Sequence, residues 1–341
     1  MTVTAWLKRI DPGTHRRIKG LRLVTAYGIA WMMGDLQGLS WQIPGQASLG
    51  VVAAGMALWA SVSEGQTTRA ASSRDLVLLV FAAVIGAMVV SVLAPLLAGL
   101  GRAGPELPLV TGAFLVAYLK PSGILGAGLG SQFYIGQLLA YGAGLEEKDL
   151  TLIAVAGLIA AVAAVVPRLL TGPAEHPSLP ASSPEIGAVF HAQALRMGLQ
   201  AAAAALVIVA LNGWFGLEKS AWAITACTYV IVGTASGTMD RVLRRVLGTA
   251  IGVPLGLACL PIASQLPMLI WTMAGLAMVV YAMALPERYD VACGAYAFAL
   301  IITLAVRGET SAIMLVSRGW ETLIGGALGL ATAMLILPLR T

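Results

Sequence analysis

Apolar runs of roughly twenty residues, each closed by charge or by a Pro–Gly break, recur along nearly the whole chain. They fall at 20–38, 43–62, 76–98, 107–119, 124–143, 150–170, 194–214, 221–237, 246–263, 268–285, 290–306 and 319–338. A helix needs about 20 residues to cross a hydrocarbon core of ~30 Å, so the pattern predicts about twelve transmembrane helices. Barrel strands would run about ten residues with apolar and polar positions alternating, and neither feature is present. The fold expected is an all-α polytopic membrane protein.

The rhythm breaks once, between Thr171 and Phe190, where Pro173, Pro177, Pro180 and Pro184 stand among serines as an extended polar linker. The chain then divides into a first six-span repeat at 1–170, a cytoplasmic linker at 171–190 and a second six-span repeat at 191–341. Leu21-Arg22 opens the first span as Leu195-Arg196 opens the seventh; Gly65 to Arg69 matches Gly237 to Arg241; Pro167 matches Pro338. The offsets, 174, 172 and 171, point to duplication, and an even number of spans per half makes the repeat parallel. A tighter echo of the form Arg-x-x-x-Thr-x-x-Gly joins Arg245–Gly252 to Arg318–Gly325, three spans apart, as a nested inverted repeat would.

Charge then orients the chain. With a cytoplasmic start, sixteen of the 21 Lys and Arg fall inside, and only Arg102, Lys148, Lys219, Arg307 and Arg318 fall outside. The positive-inside rule therefore predicts cytoplasmic termini and a cytoplasmic linker. The basic stretch Lys8 to Lys19 reads as the flank of an uncleaved first span. Composition agrees: 58% of residues are hydrophobic and 11% charged, against the roughly 25% charged of a soluble domain. Orientation also accounts for the net charge of +5, so no nucleic-acid partner is expected.

Enzyme and cofactor chemistry finds no foothold. Cys227, Cys259 and Cys293 lie in apolar runs without paired spacing, and His15, His176 and His191 lie in separate polar segments, so neither metal nor disulfide is indicated. Gly213 to Ser220 resembles a phosphate-binding loop until Glu218, which stands where glycine is needed. Gly126, Gly128 and Gly130 lack the strand that a dinucleotide fold would place before them. No cofactor is expected.

What remains is a short set of polar residues inside apolar surroundings. Gly248, Gly252 and Gly256, with Gly325 and Gly329, form small-residue stripes suited to helix packing. Arg245 and Arg318 are expected to open their helices, where an arginine beside an N-terminus attracts anions. Asp35, Asp240 and Glu321 are the acids near or within spans and hence the proton-coupling candidates, with Glu321 foremost. Tyr134 and Gln137 share a face with Gly130 and Tyr141, and Tyr296 shares one with Tyr289 and Cys293, an arrangement that suits an aromatic solute. As packing and interface residues, the same side chains need no function.

Trp222-Ala-Ile-Thr225, Gly233-Thr-Ala-Ser-Gly237, Arg241, Arg245-x-x-Gly248-Thr249-x-x-Gly252 and Arg318-x-x-Glu321-Thr322-x-x-Gly325 together resemble the fusaric acid resistance and aromatic acid exporter superfamily. The resemblance covers roughly residues 194–338; the first half shares the span layout but lacks the Gly-Thr motif after Arg74. It implies a bacterial inner-membrane protein that exports aromatic carboxylic acids, with a periplasmic membrane-fusion protein as partner. It also makes Trp222, Thr249 and Thr322 pathway candidates beside the arginines. Longer members carry large soluble regions, which the linker of about twenty residues does not supply.

Two functions are thus on the table. One is a proton-driven exporter of weak organic anions embedded in the bilayer, as a monomer or homo-oligomer. The other is a non-transporting subunit that anchors an envelope complex, for which charges confined to loops would be the signature.

Overall fold

The computed structural model describes residues 11, 15–41, 49–65, 68–171, 188–217, 220–263, 265–285, 287–306 and 312–336. Among these the regular structure is helical, with no strand. The helices are α1 (His15–Trp41), α2 (Leu49–Ser63), α3 (Arg69–Leu97), α4 (Leu107–Leu119), α5 (Gly123–Ala143), α6 (Leu150–Leu170), α7 (Ala188–Phe215), α8 (Ser220–Val230), α9 (Ala235–Ala258), α10 (Pro267–Ala284), α11 (Tyr289–Val306) and α12 (Ala312–Leu335). A four-residue helical turn, Leu260–Ala263, follows α9. Among the described residues five segments are long and apolar enough to cross a membrane: Arg69–Leu100, Glu147–Leu170, His191–Phe215, Ala235–Ile262 and Pro267–Ala284. Large side chains such as Phe81 (60% exposed), Leu158 (70%) and Leu276 (61%) face outward, as lipid requires and water would not favour. The protein is a multi-pass α-helical membrane protein.

Several helices begin well before their apolar runs. α3 starts at Arg69 rather than 76, α12 at Ala312 rather than 319, and α9 at Ala235 rather than 246. At two of these starts the local cause is a threonine cap: Thr68 accepts from the Ala71 N–H and Thr234 from the Gly237 N–H. Gly233, at φ 96°, makes the turn before the second. The expected eighth span, 221–237, is therefore the short α8, whose eleven residues rise about 16 Å, roughly half the hydrocarbon thickness. The proline-rich linker lies outside the described residues apart from its ends.

The chain forms two compact units, 21–217 and 1–20 with 218–341. In the first, α3 packs on α5 and α6, α4 on α5 and α7, and α2 on α6. The α3–α5 contact is backbone on backbone: Gly86 meets the Phe133 carbonyl and Gly136 the Ala83 carbonyl. In the second unit, α9 packs on α11 and α12, α10 on α11, and α8 on α12.

Candidate functional site

In the second unit a ladder of glycines sets the site. Gly248 lies against the Asp290 carbonyl and Cys293, Gly252 against Gly294 and Ala297, and Gly256 against Ile301, so α9 and α11 run parallel in close contact. This register places Arg245, one turn before Gly248, beside Tyr289, the first residue of α11. Arg245 Nη1 donates to the Tyr289 hydroxyl at 3.3 Å. Its Nε is buried with no hydrogen-bond acceptor, and among the described residues no carboxylate forms an ion pair with it.

Tyrosines surround this arginine. Tyr289, Tyr296 and Cys293 interact with its charge, as does Cys227 from α8. Tyr281 of α10 meets Tyr296 with ring centroids 6.2 Å apart, and Tyr229 and Tyr289 lie in its electrostatic neighbourhood. Two tyrosines, Tyr289 and Tyr296, thus stand by the guanidinium, and Tyr281 and Tyr229 lie beyond them. Arg241, one turn before Arg245, stands 4.9 Å over the Tyr289 ring. Thr249 is buried on the following turn.

α12 closes the arrangement. Gly325 packs on Ala223 and Ala226, Gly329 on Cys227 and Val230, and Gly326 on Val242, so α12 runs with α8 and against α9. Glu321 therefore lies within one to two turns of Arg245 in height. It is buried at 1% exposure and accepts from the Ser317 hydroxyl at 3.1 Å.

Neither arginine opens its helix. Arg245 sits three turns inside α9 and Arg318 nearly two turns inside α12, because the polar stretches before them continue as helix rather than loop. The macrodipole argument for an anion site thus lapses at both. The Arg318 side chain lies outside the described residues. Trp222 and Thr322 are half-buried on α8 and α12.

The remaining candidates do not converge here. Asp35 is exposed in the first unit, against Gly50. Asp240 is exposed and pairs with Arg244 one turn on. Tyr134 and Gln137 are fully buried on α5, where Gln137 donates to the Pro108 carbonyl at 3.0 Å and packs on Gly112. Among the described residues no group of His, Cys, Asp and Glu is placed to hold a metal.

A second buried polar cluster, in the first unit, was not legible in the sequence. Glu64, at the end of α2, accepts from the Ser72 hydroxyl at 2.6 Å, and Ser72 accepts from Arg168 Nε at 2.8 Å. Arg22 Nη2 stands 3.8 Å from the same carboxylate. Among the described residues Arg168 is the largest side chain that is fully buried. These contacts tie α1, α3 and α6 to the α2–α3 junction, and only a spacing of nearly a hundred residues, invisible to a local reading, connects them.

Residues 202–332 match the family model described as fusaric acid resistance protein-like. Over this stretch the chain is similar to fusaric acid resistance-like proteins. The matched stretch contains every residue of the Arg245 cluster. No curated protein and no solved structure matches the chain.

Proposed function

We propose that the protein is a secondary exporter of weak aromatic organic acids, driven by the proton-motive force across the bacterial inner membrane. The observation that carries this reading is Arg245: a guanidinium inside a membrane helix bundle, bonded to a neutral phenol, with one buried N–H lacking an acceptor and tyrosine rings around it. Holding such a charge in a membrane is costly, and an anion that binds there offsets the cost. A flat ring beneath the carboxylate would meet the tyrosine faces edge-on or offset-stacked. Glu321, sealed at a similar height on α12, is the proton carrier in this reading, and the glycine contacts of α9 with α11 form the surface along which helices shift.

The two halves act as a parallel repeat of six helices each, with both termini cytoplasmic. Supporting this, the third helix of each half packs on the fifth and sixth, the fourth on the fifth and the second on the sixth. Thr68 and Thr234 cap the third helix of each half in the same way. With Gly86 set against Gly252, the position of Arg245 corresponds to Leu79, which packs on Gly128. The charge belongs to the second half alone. Inverted membrane vesicles loaded with the protein should accumulate benzoate when energised and lose it when an uncoupler is added. Accumulation equal to that of vesicles without the protein would instead favour a non-transporting subunit.

A further inference from the structure

Resting on Arg245 as the carboxylate anchor, we propose that Tyr289 is a positioning and specificity-determining residue: its hydroxyl stands in for the substrate carboxylate, and its ring keeps Arg241 away from it. Tyr289 is held from two sides, with Arg245 Nη1 on its hydroxyl at 3.3 Å and Arg241 4.9 Å over its ring. The close packing of Gly248 on the Asp290 carbonyl sets the start of α11 directly against α9 beside Arg245. A hydrogen bond of 3.3 Å to a neutral phenol is longer than the roughly 2.7–2.9 Å of a charge-assisted bond to carboxylate, so the hydroxyl orients the guanidinium yet yields to an anion.

The other described arginines of this unit are committed. Arg16 pairs with Glu287, Arg17 with Asp11, Arg244 with Asp240 and Arg288 with Asp290, while Arg241 is spent on the Tyr289 ring. Among the described arginines of this unit, Arg245 alone is then left to serve a carboxylate. The site takes aromatic monoanions, and a second carboxylate on the same ring adds nothing, since desolvating it without a cation is unfavourable.

Equilibrium binding of benzoate and terephthalate to the purified full-length protein tests this. The wild type should bind terephthalate no more tightly than benzoate. Tyr289→Phe keeps the ring under Arg241 and removes the competing oxygen, so benzoate should bind about three- to tenfold more tightly. Arg245→Gln should lose benzoate binding. Benzoate binding retained by Arg245→Gln sinks the anchor itself. If Arg245→Gln loses binding but a folded Tyr289→Phe binds benzoate no better than wild type, the anchor stands and the role of Tyr289 is overturned. Should Tyr289→Phe not fold, the wild-type comparison decides alone: terephthalate binding tenfold tighter than benzoate overturns the single-cation site.

Discussion

A charged residue within an apolar run is conspicuous in a sequence, and Arg245 and Glu321 were both legible for that reason. What surrounds them was legible only in part: Tyr289, Cys293 and Tyr296 share a helix face, whereas Tyr229 and Tyr281 come from two other helices and share no local pattern with them. Glu64 illustrates the harder case. It sits at the end of an apolar run, where a carboxylate needs no explanation, yet it is 3% exposed between Arg22 and Arg168. Glu64→Gln removes the negative charge from between two buried guanidinium groups, and breaking a buried pair in this way costs about 3–5 kcal/mol. The variant should melt well below wild type in detergent. An unchanged melting temperature would mean that the cluster is solvated and contributes little. By contrast Arg288→Gln, which removes an exposed pair with Asp290, should shift the melt hardly at all.

At the scale of elements, hydropathy located the apolar part of nearly every described helix but misplaced where several begin. Its window reads Thr238 to Arg245 as loop because the charges dilute the apolar signal, whereas the helix continues with its polar residues on one face. The consequence for the site was substantial, since it moved Arg245 from a helix start to a helix interior. The glycines were readable as close-approach positions, but not which helix each one meets. The structure makes that specific, and the prediction follows. Gly86→Ala would drive a methyl group into the Phe133 carbonyl, and Gly252→Ala one into the Gly294 carbonyl, both backbone atoms that cannot rotate away. Each change should lower the amount of folded protein in the membrane, by about 1–3 kcal/mol of stability or more. Gly142→Ala meets nothing within 4 Å and should be neutral or slightly stabilising through helix propensity. Equal abundance of all three variants would show that the α3–α5 and α9–α11 contacts are loose.

For the whole molecule, the sequence carried the all-α membrane class. It could not carry the pairing of helices, which depends on contacts between residues far apart in the chain. The proposed orientation predicts that Ser178→Cys in intact cells resists an impermeant thiol reagent and reacts once the membrane is opened. Background labelling should be low, because Cys227 and Cys293 are buried and Cys259 is partly so. Reaction in intact cells would reverse the orientation or make the number of crossings before the linker odd. The account as a whole stands on Arg245 as the group that engages a transported aromatic anion. Its most direct test is counterflow of labelled benzoate in liposomes that hold the purified protein and excess unlabelled benzoate, since this exchange needs no proton gradient. The wild type should take up label transiently, and Arg245→Gln should fall by about thirtyfold or more at equal protein content. Exchange by Arg245→Gln at the wild-type rate would contradict the account.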